Sequence, residues 1–192
     1  MGRHSMFANQ TLVTADTFTQ TFLCIVMGLG GGFSVYNFYS MKALKTYVIT
    51  LSRTFPTTHP KAGEQTLFGE NLIKTKLHTI RGNHELWERR FKQVEAGKAC
   101  ISIRQWTGRP YASKQVEIAN LKKEDGIGIQ TLNFYHGDTP DALFYPTIDG
   151  KPSDSTELAH NDGLTLKDWL DWFKKSDISK PMVIIHFTGF RY

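Results

Sequence analysis

Cysteine is scarce in this chain: its 192 residues hold two, Cys24 and Cys100, and neither belongs to a CxxC pair. A disulfide framework and a thiolate-based structural zinc site are therefore excluded, and the usage suits a reducing, cytoplasmic setting. Charge is missing altogether from Thr17 to Ser40. That stretch has about the length of a membrane helix, roughly 20 residues, but Gly28, Gly30, Gly31 and Gly32 and several hydroxyls interrupt it. A secretion signal would carry its charges directly before the apolar run; here Asp16 and a polar segment intervene, with no clear small-residue cleavage site. Residues 1–40 are accordingly expected to be a non-domain extension, with Met41 opening the folded part. A membrane enters only if residues 17–40 are a genuine apolar segment. MGLGGG at Met27–Gly32 lacks the Lys-Ser/Thr that a phosphate loop needs. No internal repeat or low-complexity tract follows Met41.

What remains is a single domain's worth of chain, residues 41–192, with ordinary globular hydrophobicity. The net charge is +5 from 23 basic and 18 acidic residues. Residues 1–40 carry only Arg3 and Asp16, so the excess lies wholly on the domain. A basic surface fits a polyanion such as RNA, and equally a soluble protein with spare lysines. Lys45–Leu51, Leu77–Arg81, Lys98–Trp106, Gln115–Leu121, Ile127–Phe134, Ala142–Ile148 and Met182–Phe187 read as strands or extended segments, joined by tight turns. Val116 and Ile118 are expected to share one strand face. Arg53–Thr66, with Pro56 and Pro60, is a long loop, and a short helix is expected around Gly69–Thr75. Asn83 caps a helix whose stripe is Trp87, Phe91 and Val94, ended by Gly97. Thr165 and Asp168 open a second helix in capping-box spacing, with Leu164 and Trp169 as its staple and Leu166, Trp169, Leu170 and Phe173 as its buried stripe. The class is α/β in the α+β sense, a small barrel or sandwich of about five or six strands with flanking helices.

Chemistry concentrates in Leu72–Asn83, LIKTKLHTIRGN. On a strand, Thr79 and Arg81 share one face while His78 and Ile80 take the other. Lys76 joins Thr79 only if it lies on the incoming turn. A solvated basic edge strand would also carry these residues. Elsewhere, Trp106 with Arg104 and Arg109 has the make-up of a base-stacking platform, or of a partly exposed aromatic beside a turn. Glu117 alternates with Val116 and Ile118, as a solvated strand face does, and is the second candidate acid. His136 and Asp138 find no third metal ligand at usable spacing, and a polar loop is favoured; no metal or cofactor is expected. His186 interrupts an apolar strand and reads as a satisfied core histidine.

KLHTIR, Lys76–Arg81, resembles the K-x-x-T-x-R signature of ASCH domains. NDGLT at Asn161–Thr165 is similar to that family's late helix start, and VIIHF at Val183–Phe187 to its closing strand. The resemblance implies a PUA-like barrel whose cavity binds RNA or a modified nucleotide or nucleoside, with Arg81, His78, Arg104, Trp106 and Arg109 as ligand-binding candidates. In one branch it implies an amidohydrolase that deacetylates N(4)-acetylcytidine. Carried over by position, its residues are Lys76, Thr79 and Asp162, the last an aspartate where that branch has glutamate. A threonine becomes a nucleophile only when a neighbouring base takes its proton, and a lysine is that base only if its pKa is pushed down. A carboxylate beside the lysine orients it but opposes that shift. The first reading is a non-catalytic binding module. The amidohydrolase is the alternative, and a protein-interaction module without ligand is the third. The long loop and the helix after the signature depart from the small enzymes of the family and bear on access to the cavity.

Overall fold

The computed structural model describes residues 43–135 and 145–192, together with the backbone of residues 22–27 and 33–38. Two units separate, Met1–Ala43 and Leu44–Tyr192. In the first, β1 (Phe22–Met27) and β2 (Phe33–Phe38) pair antiparallel, with Phe22 opposite Phe38. Among the described residues no helix is long and apolar enough to cross a membrane.

The second unit runs β3 (Lys45–Thr50), β4 (His78–Arg81), α1 (His84–Glu95), β5 (Ala99–Trp106), β6 (Gln115–Leu121), β7 (Gly128–Tyr135) and β8 (Tyr145–Ile148). It continues with β9 (Lys151–Pro152), α2 (Ser155–Asn161), α3 (Leu166–Phe173) and β10 (Met182–His186). The fold is mixed α+β, with eight strands in two sheets ordered β3-β5-β6 and β4-β10-β7-β8-β9. The closed barrel of five or six strands is not found among the described residues. Among the described residues β3 pairs only with β5, in parallel, and β4 only with β10. The two edges meet through a side chain instead of a ladder: Arg81 Nη2 donates to the Thr50 carbonyl at 2.7 Å.

β10 is the apolar strand that the closing segment predicts. It lies between β4 and β7, antiparallel to both, and all five of its residues are buried. On one side Val183, Ile185 and Phe187 join Ile49, Ile101, Ile103 and the α1 stripe of Trp87, Phe91 and Val94. On the other, Ile184 joins Leu132, Ile148, Leu158, Trp169 and Phe173 beneath α2 and α3. Both predicted caps form. Asn83 accepts from Leu86 N at 3.2 Å. The Thr165 hydroxyl accepts from Asp168 N at 3.2 Å and donates to the Asp168 carboxylate at 2.8 Å.

Three local expectations are corrected. Gly69–Thr75 is a series of turns, because Ile73 takes a left-handed φ of 65° that a helix excludes. Val116 and Ile118 do not act together: the register slips between Ile103 and Arg104, which face Ala119 and Glu117 and leave Ile118 with no opposite residue. Val116 is exposed while Ile118 packs on the core. The α2 helix, capped by Asp154 accepting from Thr156 N at 2.7 Å, carried no clear periodic signal in its seven residues.

His186 is in the core but is not satisfied. It is fully buried, and neither ring nitrogen has a hydrogen-bond partner among the described residues. Burial first, and then the Arg191 charge, push its pKa down to about 3. His78, opposite it on β4, is also held well below the ordinary histidine value by burial and by Lys76. Both rings take up protons more readily in the unfolded chain, so their contribution is complete above about pH 6.5 and is lost as pH falls. Between about pH 6 and 5 each should lower the unfolding free energy by about 1.4 kcal/mol per pH unit. His186→Leu should keep the pH 7 stability, because it removes an unpartnered polar ring. It should also lose about half of that slope in urea unfolding. A variant with the wild-type slope would show that His186 is not the titrating group.

Candidate functional site

Lys76 lies on the incoming turn, as convergence with Thr79 demands. The Asn71 carbonyl gathers the N–H groups of Lys74, Thr75 and Lys76 at 3.0, 3.2 and 3.0 Å, and Ile73 N closes back on the Lys76 carbonyl at 3.1 Å. The chain straightens only at His78. Before that, Leu77 N donates to the Asn161 carbonyl at 2.7 Å, and Lys76 pairs with Asp162 as a lone antiparallel bridge. The end of α2 is thus laid across the start of β4. Gly163 makes this approach feasible: its φ is 79°, and a Cβ there would sit 3.1 Å from Lys76 Cβ.

At this crossing Lys76 Nζ donates to the Asp162 carboxylate at 2.6 Å and to the Asp162 carbonyl at 2.7 Å. The lysine is 2 % exposed and the aspartate 5 %. The ammonium also stands 4.0 Å from the centre of the Phe68 ring. The shorter side chain of aspartate suffices because the backbone bridge already brings the two residues together.

Lys76, Thr79, Arg81 and Asp162 line one small cavity of about 90 Å³, with Ser52, Phe68 and Trp172 among its other walls. Thr79 is buried, and its hydroxyl makes no hydrogen bond among the described residues. Arg81 spends one N–H on the Thr50 carbonyl and keeps the rest of its fork. Desolvation dominates the electrostatics. Burial lowers the Lys76 pKa despite the attraction of Asp162, and burial raises that of Asp162 despite Lys76. Both directions weaken ionisation of the pair, while the short Lys76–Asp162 contact favours it.

The long loop shields one wall of the cavity. Phe55 and His59 stack at 4.4 Å, and Phe55 meets Trp172 edge-on at 5.8 Å. His59 Nε2 donates to the Asp168 carbonyl at 3.0 Å, and Lys61 reaches the Asp168 carboxylate at 2.8 Å. Phe68 and Trp172 carried no signal as site walls.

The other candidates lie off the cavity. His78 points away from it and meets Tyr192 Oη at 2.8 Å, with Nδ1 4.0 Å from the Asp162 carboxylate. Glu117 is exposed and accepts from Ser102 and Asn120. Arg104 donates to the Ser102 hydroxyl at 2.8 Å, Trp106 is half-buried, and Arg109 is exposed on the turn beyond. His136 and Asp138 lie outside the described residues, among which no group of three or more acidic, His or Cys side chains is placed to hold a metal.

Removing one member of a buried pair strands the other. Lys76→Met should cost about 3–5 kcal/mol at pH 7. Asp162, deprived of its cation, would have a folded pKa further above the unfolded value. The penalty is absent below the unfolded aspartate pKa and grows as pH rises through the folded one. The difference from wild type in urea unfolding should therefore shrink towards pH 3, and Asp162→Asn added to Lys76→Met should recover much of it at pH 7. An undiminished loss at pH 3 would mean that packing, not the stranded charge, sets the cost.

Searches of protein-family models, of curated proteins and of solved structures returned no match to this chain.

Proposed function

We propose that the Leu44–Tyr192 unit is an ASCH-type amidohydrolase that removes a short acyl group from a modified nucleoside such as N(4)-acetylcytidine. Its two sheets are read as an opened counterpart of the PUA-like barrel. The observation that carries this reading is the meeting of a desolvated Lys76–Asp162 pair and the unbonded Thr79 hydroxyl on one cavity. The cavity of about 90 Å³ would admit the acyl group of such a substrate.

In this mechanism the uncharged Lys76 amine takes the Thr79 proton while Oγ1 bonds to the acyl carbon. Arg81 faces the oxygen that gains charge. The C–N bond then breaks, and the lysine returns the proton to the departing amine, leaving an acyl ester on Thr79. Water attacks that ester, again giving its proton to Lys76. The ester bond breaks, the carboxylic acid leaves and the proton passes back to Thr79. The sum is amide plus water to acid plus amine. Asp162 holds the lysine throughout and reprotonates nothing.

Assay of the purified protein on N(4)-acetylcytidine should show turnover that rises with pH on a limb lying below the ordinary lysine pKa, because the base must be unprotonated and burial lowers the pKa of Lys76. Thr79→Ala should lose at least about a thousandfold in kcat, and Thr79→Ser should retain part of it. Thr79→Ala is the decisive variant, since it strands no buried charge. Wild-type binding of the nucleoside without turnover would support capture alone. Neither binding nor turnover, or full activity in Thr79→Ala, would remove this use of the cavity.

A further inference from the structure

The turn between β5 and β6 is built unlike the rest of the surface. Tyr111 is 92 % exposed and takes a left-handed φ of 62°, a conformation uncommon for an aromatic residue. Its ring lies 5.4 Å from that of Trp106 with 53° between the planes. The turn that presents it is firmly tied. Thr107 N donates to the Lys114 carbonyl at 2.9 Å, Gly108 N to the Ser113 hydroxyl at 3.0 Å, and that hydroxyl to the Arg109 carbonyl at 2.9 Å. Tyr111 therefore stands out in water on a hydrogen-bonded turn, although the hydrophobic effect alone would turn it inward.

Cations lie on this turn and beside it. Arg109 and Lys114 are exposed on the turn itself, and the exposed Arg53 is fixed beside it by Nη1 donating to the Thr107 carbonyl at 2.7 Å. None of the three is in an ion pair among the described residues, and the sequence from Arg104 to Val116 contains no acid. Two aromatic faces set among three uncompensated cations match one ligand chemistry: flat bases joined by phosphates. A protein partner would be expected to seek a closed apolar patch, and this one is interrupted by charge.

The turn also adjoins the cavity wall. Leu51 N donates to the Arg104 carbonyl at 2.8 Å, and Gln115 Nε2 to the Thr50 hydroxyl at 3.3 Å. Thr50, Leu51 and Ser52 line the cavity, and Arg53 follows them. We infer that the Trp106–Tyr111 turn is a binding platform for a single-stranded nucleic acid, whose bases stack on Trp106 and Tyr111 and whose phosphates meet Arg53, Arg109 and Lys114. This platform stands apart from the catalytic residues and does not depend on hydrolysis at Thr79.

The test is fluorescence anisotropy of the full chain with labelled 12-nucleotide oligouridylate and oligothymidylate. Either probe should bind, with log affinity falling against log salt at a slope of about −2, from roughly 0.7 per phosphate contact for three contacts. Tyr111→Ala should weaken binding about fivefold or more. It should leave turnover of the free nucleoside unchanged, which separates failure of the platform from failure of the cavity. Arg109→Gln with Lys114→Gln should reduce the magnitude of the slope by about 1.4. Because Tyr111 and both cations are exposed, these variants should keep the wild-type unfolding midpoint. Absence of binding to both probes at 50 mM salt would overturn the proposal. So would unchanged affinity in Tyr111→Ala, or a salt slope that the double variant leaves intact.

Discussion

A lysine and a carboxylate held out of water have little choice but to find each other, and in this chain their meeting organises the corner where the two sheets come together. Lys76 enters from a turn and Asp162 from the end of a short helix, 86 residues later. Their backbones bridge, and Gly163 admits the lysine stem. The same stretch fixes Leu77 to Asn161 and delivers β4 to β10 in register. From there Arg81 reaches across to the end of β3. The corner is thus stitched by side chains where a closed barrel would use a ladder. This is why the arrangement of a few polar groups, more than any sheet hydrogen bond, sets the shape of the cavity.

Burial of such a pair seldom adds stability over well-packed apolar residues, since desolvation consumes most of the Coulomb attraction. A staple between β4 and α2 would be served as well by leucines. What apolar residues would not supply is a buried amine on the same cavity as the Thr79 hydroxyl. The energetic cost and the chemistry come from one cause: withdrawal from water lowers the Lys76 pKa and raises that of Asp162. The carboxylate limits how far that goes and fixes the direction of the amine. The bond from Lys76 to the Asp162 carbonyl adds a second fixed point at the end of α2.

Much of this was legible in the residues, for local reasons. Caps at Asn83 and Thr165 are written in side chains that bond within three residues, and the stripes of α1 and α3 follow helical spacing. Strand alternation set only the condition that Lys76 meets Thr79 from a turn, since the two would otherwise point apart. What was not legible depends on distance in sequence. Phe68 and Trp172 become cavity walls only after the long loop packs on α3. The slip that separates Val116 from Ile118 depends on β5 as partner. A closed barrel is not found among the described residues, and strand count does not say which edges pair. The unpartnered nitrogens of His186 were hidden as well: an imidazole in an apolar strand invites a satisfied-core reading, and only the packed neighbours deny it.

The exposed turn beyond β5 follows the opposite logic from the buried corner. At Lys76 the protein removes water to change what a charge does. At Tyr111 it keeps rings and cations in water, where they can be met from outside. One strand serves both: Arg104 carries the ladder bond to Leu51 on the cavity side, and two residues later Trp106 begins the aromatic face. The two surfaces thus differ in what they need from water: the cavity depends on its exclusion, and the turn on its presence.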